Sequence, residues 1–182
     1  MKIDKRKKPT KLLWIDLEMT GLNAESDVIL EVAAEVTDFD FKTLASYEAV
    51  IKHKNRALKN MNDWSKVQHK ASGLLERIKK DGRAEQEVSG ELVGFIKAGF
   101  GDEPAILAGN SIHNDRKFIA RRWPEVEDRL HYRMLDVTSF KILCQAKYDI
   151  NFSKKEVHRA FDDIQASIAE LQYYIDALTK KS

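Results

Sequence analysis

Three apolar-rich runs open the chain and predict β-strands. They lie at residues 12–19, at 28–38 (VILEVAAEVTD) and at 45–53 (ASYEAVIKH), and turn-rich segments separate them. Consecutive strands that are joined by short connections usually pair antiparallel. The pattern therefore predicts that the chain begins with an antiparallel part of a β-sheet.

From residue 55 to residue 100 the pattern changes to apolar residues every three or four positions, which is typical of amphipathic helices. Two segments, SGLLERIKK and EQEVSGELVGFIKAGF, carry this spacing. The KKDGRAE segment between them contains a glycine among charged residues and is predicted to be a loop.

The second half of the chain alternates strands and helices. The pattern predicts a buried strand from Ala105 (AILAGN), a helix over NDRKFIARRW, a last strand over RMLDV and a long closing helix through IQASIAELQYYIDAL. Strands followed by alternating helices and strands indicate an α/β fold, a mixed sheet flanked by helices. No repeat or low-complexity linker divides the sequence, so we expect a single domain over residues 12–182 after a basic tail at residues 1–11.

Composition adds a few constraints. The 182 residues are 43% hydrophobic and 33% charged, and the net charge of +2 is too balanced to identify a nucleic-acid-binding protein. The single cysteine, Cys144, excludes an internal disulfide and fits a reducing compartment. No apolar run approaches the roughly 18 residues of a transmembrane helix. Acidic residues also interrupt the apolar run that a signal peptide needs, so we expect a cytoplasmic protein without a membrane segment.

Two carboxylates interrupt the first predicted strand in WIDLEMTG. Asp16 and Glu18 are separated only by Leu17, so they project from the same face of the strand. Neighbouring carboxylates raise each other's pKa, and burial raises it further because the ionised form is poorly solvated. The pair therefore requires either a compensating cation or a shared proton.

Three further residues could take part in chemistry. Asp115 follows GNSIHN at a strand–helix junction, where open sheets commonly bind ligands, although it could equally be a helix N-cap. In HRAFDD, His158 and Asp163 would lie about 140° apart on a regular helix, so they would not bind one ion together. Asp163 is then a candidate metal ligand and His158 a candidate general base. The alternatives are acids that favour the helix dipole and an ordinary surface histidine.

Taken together, these motifs resemble the DEDDh exonucleases of the RNase H-like superfamily and, within them, the oligoribonuclease family. The likeness runs from Leu12 to Leu178 and rests on WIDLEMTGL, HKASGL, GNSIHND, HYRMLDV and HRAFDDIQASIAEL. It implies a 3′-to-5′ exoribonuclease domain over residues 12–182. Such an enzyme hydrolyses very short RNAs, especially dinucleotides, to nucleoside 5′-monophosphates.

The resemblance also implies a two-metal centre. Four acids would hold two divalent cations, Mg²⁺ or Mn²⁺, and these are Asp16, Glu18, Asp115 and Asp163. His158 would remove a proton from the attacking water. Asp162 is expected to stabilise the helix terminus or to make a supporting hydrogen bond. Asp136 is expected to give structural support near the site and not to bind metal.

Substrate contacts follow from the same resemblance. Leu22 would wedge between bases, and Trp64 and His69 would line the base and the 3′ side. Without the resemblance, Leu22 and Trp64 would be interpreted as core residues, because large apolar side chains are usually buried. Four residues match the family's cap for a 5′-phosphate: Ser111, Arg133, Thr138 and Ser139. The family usually has serine before threonine at the last two positions, whereas this chain has Thr138 before Ser139. Tyr132, the second catalytic residue, is expected to reach the site with Arg133 from the other subunit of a homodimer.

Three other functions remain open at this point. A DEDDh exonuclease that trims longer RNA ends or proofreads DNA would need an open groove or a basic surface. A non-catalytic RNA-binding relative would keep the fold, but all five catalytic residues are present here. A metal-dependent phosphodiesterase for small molecules can be distinguished only by a substrate assay.

Overall fold

The computed structural model describes residues 8–54, 57–58, 61–153 and 159–180. The strands within these ranges are β1 (Lys11–Met19), β2 (Ile29–Asp38), β3 (Thr43–Val50), β4 (Ala105–Gly109) and β5 (Leu130–Asp136). The helices there are α1 (Asp63–Ala71), α2 (Leu74–Asp81), α3 (Glu85–Phe100), α4 (His113–Arg122), α5 (Pro124–Glu127), α6 (Val137–Tyr148) and α7 (Ala160–Thr179). None of them combines the length and apolar character needed to cross a lipid bilayer.

The strands form one mixed sheet in the order β3-β2-β1-β4-β5. β1 pairs antiparallel with β2, and β2 with β3, whereas β1–β4 and β4–β5 are parallel. The predicted antiparallel start and the α/β class are therefore confirmed. β3 nevertheless ends at Val50, before the predicted residues 51–53, and Ile51 forms only an isolated bridge with Arg83.

Helices cover both faces of the central strand β1. Ile15 and Leu17 point into the core that contains residues of α3, α4 and α5, whereas Trp14 points into the core that contains residues of α7. Side chains alternate along a strand, so Asp16 and Glu18 project from the face that carries Trp14. This alternation places both carboxylates on the α7 side of the sheet.

The region predicted to be helical from residue 55 differs in detail. Within its described part, α1 and α2 are separated at Gly73, whose φ of 75° lies in the left-handed region that glycine tolerates. α2 continues to Asp81 and α3 begins at Glu85, so the predicted KKDGRAE loop is confirmed only at residues 82–84, and residues 79–80 are helical as the overlapping SGLLERIKK segment predicts. Lysines in the last turn of a helix are stabilised by the helix dipole, so a charged segment at this position can be helical although its composition is typical of a loop.

The segment after the fourth strand also differs from the prediction. β5 begins at Leu130, before the predicted RMLDV strand, and α6 follows it although no helix was predicted there. α6 buries Val137 and Cys144 but leaves Ile142 and Leu143 exposed. Because its apolar residues lie on more than one side, the helical periodicity is weak.

Candidate metal centre and active site

Three carboxylates converge near the C-terminal end of β1. Asp16, Glu18 and Asp163 each offer an oxygen, and these oxygens lie within 4.8 Å of one another. The first two come from β1, and Asp163 comes from the first turn of α7 on the same face of the sheet. Carboxylate oxygens at this spacing are suitable ligands for a divalent cation such as Mg²⁺ or Mn²⁺.

The two acids of HRAFDD take different places. Asp163 joins the carboxylate group, whereas Asp162 is exposed in the same first turn of α7 and lies outside that group. The backbone amide of Asp163 donates to the carbonyl of Arg159 at 2.9 Å. Arg159 therefore helps to fix the turn that presents Asp163.

Asp115 approaches the end of β1 from the opposite helix layer. It is the third residue of α4, whose N-cap is Ile112, so the alternative that Asp115 is an N-cap is wrong. Its Oδ1 accepts a hydrogen bond from the backbone amide of Leu17 at 3.0 Å. Burial raises the pKa of the Asp115 carboxyl to about 7. Repulsion from the Asp115 carboxylate also raises the pKa of Glu18, so Asp115 borders the three-carboxylate group.

The electrostatics favour cation binding. Burial raises the pKa of Glu18 to about 8, and repulsion from Glu31, Asp163 and Asp115 adds to that rise, while Arg159 opposes it. Carboxylates that repel one another in a poorly solvated site are stabilised either by protons or by a bound cation. The residues present therefore fit a divalent metal centre.

This raised pKa predicts how the stability of the metal-free protein depends on pH. Folded Glu18 keeps its proton up to about pH 8, whereas its ordinary pKa is 4.5, so unfolding releases a proton throughout that window. The free energy of unfolding should fall as pH rises across it, by at most about 1.4 kcal/mol per pH unit for one group. Denaturant titrations in EDTA measure this slope. Glu18→Gln should reduce it to the part that the raised pKa of Asp115 contributes, and an unchanged slope in that variant would contradict the raised pKa of Glu18.

A cluster of two arginines and two glutamates lies beside the carboxylates. Glu31 on β2 pairs directly with Glu18 in the antiparallel register and is completely buried. Its Oε1 accepts from Arg77 and lies 3.6 Å from Nε of Arg159, and both arginines also contact Glu48. Two arginines thus compensate a carboxylate that would otherwise be costly to bury.

Leu22 projects from a loop that is fixed internally. The Thr20 hydroxyl donates to Oδ1 of Asp27 at 2.9 Å, and the amide of Asn23 donates to Oδ2 of Asp27 at 3.0 Å. A Cβ on Gly21 would lie only 2.5 Å from the Asp27 carboxylate, so a larger residue there would displace the side chain that bonds this loop. Leu22 is 80% exposed, which shows that the core-residue alternative is wrong for it.

Trp64 lies near the same loop at the start of α1. Asn62 caps this helix by accepting from the amide of Ser65 at 2.8 Å, and its own amide donates to the carbonyl of Thr20 at 3.2 Å. Trp64 is 61% exposed, so the core-residue alternative is wrong here as well. Two large apolar side chains, Leu22 and Trp64, are thus presented to solvent by segments tied to the end of β1.

His69 contacts the carboxylate group from inside the protein. It is 1% exposed, its Nε2 donates to the carbonyl of Met19 at 2.8 Å, and its Nδ1 lies 3.7 Å from Oε2 of Glu18. The imidazole is therefore packed against a predicted ligand rather than displayed on the surface. Its predicted part in lining the substrate stays a prediction.

Two of the four predicted cap residues meet directly. Oγ of Ser111 lies 3.1 Å from Oγ1 of Thr138, and the Ser111 amide donates to Oγ1 of Thr138 and Oδ1 of Asp136. Asp136 also caps α6 by accepting from the amide of Thr138 at 2.9 Å, which agrees with its predicted supporting part. Ser111 has a φ of 49°, so these bonds hold an unusual backbone conformation.

The other predicted residues lie apart from these contacts. Tyr132 and Arg133 are exposed on β5, with the Arg133 guanidinium 5.3 Å from the centre of the Tyr132 ring, and Ser139 is exposed on α6. His158 lies outside the described residues, so its predicted part as general base stays a prediction.

Sequence reasoning missed several residues around the site. Glu31 interrupts the apolar run VILEVAAEVTD just as Asp16 and Glu18 interrupt the first strand, and this signal could have identified it as a buried charge in need of partners. Arg159 and Asn110 occur inside motifs that were recognised, HRAFDD and GNSIHND. Their contacts join distant parts of the chain and leave no local pattern.

Solved structures of exonucleases share this fold. Exonuclease I from Methylocaldum szegediense superposes with a TM-score of 0.71 and 15% identity over 94% of this chain and 43% of its own. A zinc-bound complex of E. coli exonuclease I with single-stranded DNA gives 0.70 and 14% identity over 95% and 43%. The present chain spans less than half the length of these two proteins, and at this identity the likeness concerns the fold alone.

Sequence relatives are closer. A family model described as exonuclease matches residues 13–171. The oligoribonuclease of Francisella tularensis is 42% identical over 165 residues, which are 90% of this chain and 93% of the relative. The mitochondrial oligoribonuclease of Mus musculus is 40% identical over 176 residues, 94% of this chain and 74% of the relative. With an acidic centre on an exonuclease fold, the chain belongs to the exonuclease family, among the oligoribonucleases, and is a nuclease.

Proposed function

We propose that this nuclease is a 3′-to-5′ exoribonuclease that hydrolyses very short RNAs, especially dinucleotides, to nucleoside 5′-monophosphates with the help of two divalent cations. The observation that carries the proposal is the convergence of Asp16, Glu18 and Asp163, with Asp115 at their border, in a relative of oligoribonucleases. Hard carboxylate ligands suit Mg²⁺ or Mn²⁺.

Each residue has a distinct part in the proposed reaction. Asp16, Glu18 and Asp163 would hold the metal, while the Leu17 amide fixes the carboxylate of Asp115 beside them. When bound, such ions activate the attacking water and stabilise the departing oxygen of a phosphodiester. His158 would accept the proton that the water loses.

Exposed apolar side chains suit a substrate of variable sequence. Leu22 and Trp64 are solvent-exposed and are presented by segments bonded to one another at the end of β1. Stacking on an aromatic ring tolerates every base, because each base has a π-face. The pair thus supports binding of short RNA without base preference.

The proposed enzyme is a homodimer with sites shared between subunits. β5 is an edge strand of the sheet, and an unpaired strand edge is a ready surface for another chain. Four large apolar residues are exposed on β5 and the adjoining α6: Tyr132, Met134, Ile142 and Leu143. A second copy that covers this surface would receive Tyr132 and Arg133 near its own site.

The cap predicts a preference for 5′-phosphorylated dinucleotides. Arg133→Ala removes a charge-assisted phosphate contact, which is worth about 1.5–3 kcal/mol, so the preference over longer RNAs should fall roughly ten- to a hundredfold. Timed digests of 5′-phosphorylated RNAs of different lengths measure it. Arg83→Ala, whose guanidinium bonds Glu91 on α3 instead, is the control and should keep the preference. Retained preference in Arg133→Ala would place the cap elsewhere.

Composite sites predict complementation between two variants that are each impaired in cleaving the 5′-phosphorylated dinucleotide. In mixed dimers of Asp163→Asn and Arg133→Ala, one site collects both lesions and the other receives neither. With random pairing, about a quarter of wild-type activity should return on coexpression. Pairing Asp163→Asn with Asp16→Asn is the control, because each site then keeps one damaged acid and stays inactive. No recovery in purified Asp163→Asn/Arg133→Ala heterodimers would contradict shared sites.

A further inference from the structure

One amide side chain joins the predicted 5′-phosphate cap to the helix that carries Asp163. Asn110 directly follows β4, and its Nδ2 donates to Oγ of Ser167 at 2.9 Å and to Oε2 of Glu170 at 3.0 Å, both on α7. Its Oδ1 accepts from the hydroxyl of Thr138 at 3.3 Å, at the start of α6. A carboxamide can donate and accept at once, whereas a carboxylate can only accept.

The α7 end of this connection reaches a predicted metal ligand. Ser167 donates its own hydroxyl proton to the backbone carbonyl of Asp163 at 2.8 Å. Glu170 is 1% exposed, and its second oxygen accepts from the hydroxyl of Tyr174 at 3.0 Å. A buried carboxylate needs such partners, so it holds the donor end of Asn110 in a single orientation.

The cap end is equally constrained. The hydroxyl of Thr138 has one hydrogen, which it gives to Asn110, and its oxygen faces both the amide and the hydroxyl of Ser111. In this arrangement the Ser111 hydroxyl is the donor in its contact with Thr138, so Thr138 orients the Ser111 side chain. The unusual backbone conformation of Ser111 depends on the same contacts.

We infer that Asn110 is a positioning residue that fixes the separation between the Asp163 end of α7 and the Ser111–Thr138 part of the cap, and that it thereby helps to select substrate length. The inference rests on the proposed function. A rigid connection of this kind favours a substrate whose 5′-phosphate and scissile phosphate are one nucleotide apart. Loss of the connection would weaken that selection without removing any group that touches the substrate.

The test compares substrates with and without a cap phosphate. Asn110→Ala should lower kcat/KM for a 5′-phosphorylated dinucleotide by about 10- to 100-fold, the range expected when a residue that orients a binding group is lost. A p-nitrophenyl ester of a nucleoside 5′-monophosphate has a scissile phosphodiester but no cap phosphate, and its turnover should stay within about twofold by the same reasoning. Ser89→Ala removes a partly buried hydrogen bond to Glu125 on the opposite helix layer and should change neither the kcat/KM for the dinucleotide nor the turnover of the nitrophenyl ester.

Binding measured in EDTA gives a readout that does not depend on cleavage. The affinity advantage of a 5′-phosphorylated over an unphosphorylated dinucleotide should shrink in Asn110→Ala. If that variant does not fold, Ser167→Ala decides, because alanine suits a helix and only the middle of the connection is lost. If the folded variant keeps the wild-type kcat/KM for the dinucleotide and the wild-type affinity advantage of the 5′-phosphate, the inference is overturned.

The outcomes separate this inference from the function on which it rests. If the wild-type protein shows no advantage for 5′-phosphorylated dinucleotides, the proposed cap and the inference both fail. If Arg133→Ala loses the advantage while Asn110→Ala keeps it, only the inference fails. Loss in both variants, with the nitrophenyl ester still cleaved, supports it.

Discussion

Asp163→Asn should nearly abolish hydrolysis while leaving the protein folded. An amide has a similar shape but cannot supply the charge of a metal ligand. The loss should exceed the roughly 100-fold effect that is typical of residues that only orient a ligand. Activity on a dinucleotide, together with calorimetric titration of Mn²⁺, measures both parts of this expectation. Equivalent amide substitutions at Asp16, Glu18 and Asp115 should behave in the same way.

Asp162→Asn is the matched control for this prediction. Asp162 occupies the same turn of α7 but is exposed and lies outside the carboxylate group. Its substitution should have a mild effect on both turnover and metal affinity. Equal loss at Asp162 with none at Asp163 would show that the metal binds through the other carboxylate.

The second large effect is expected at His158. His158→Ala should lower turnover by roughly 10²- to 10⁴-fold, the usual contribution of a general base. Affinity for the dinucleotide should change much less, because the histidine acts on the water. The wild-type rate should also rise with pH through the titration of this imidazole, and the variant should lack that rise.

Metal binding distinguishes this account of His158 from the main alternative. If His158 is the base, Mn²⁺ affinity should be close to normal in His158→Ala. Normal turnover combined with weakened metal binding would instead identify the histidine as a ligand. Near-normal turnover together with near-normal Mn²⁺ affinity in His158→Ala would identify His158 as an ordinary surface residue.

Local pattern was sufficient to predict most of the sheet and the acids of its central strand. The strands stand out because apolar residues alternate or run continuously, and Asp16 and Glu18 stand out because charge is costly there. α6 was missed because its exposed apolar residues blur the helical period. Exposure of Leu22 was likewise hidden, since an apolar residue in isolation is more often buried.

Contacts between distant residues could not be predicted from one sequence. Asp115 looked like a possible N-cap, but its carboxylate accepts from Leu17, 98 positions away along the chain. Glu31 and Arg159 are similarly brought together only by the packing of α7 on the sheet. Asn110 lies in a recognised motif, yet its partners on α6 and α7 follow from tertiary structure alone.

The most direct test of the proposed function is a timed digest of 5′-phosphorylated RNAs from two to ten nucleotides long, with and without Mg²⁺ and with Asp163→Asn alongside. We expect rapid conversion of the dinucleotide to nucleoside 5′-monophosphates, much slower loss of longer RNAs, and no products in EDTA or with the variant. Metal-independent cleavage, products that carry a 3′-phosphate, or equal cleavage of every length would contradict the proposed function.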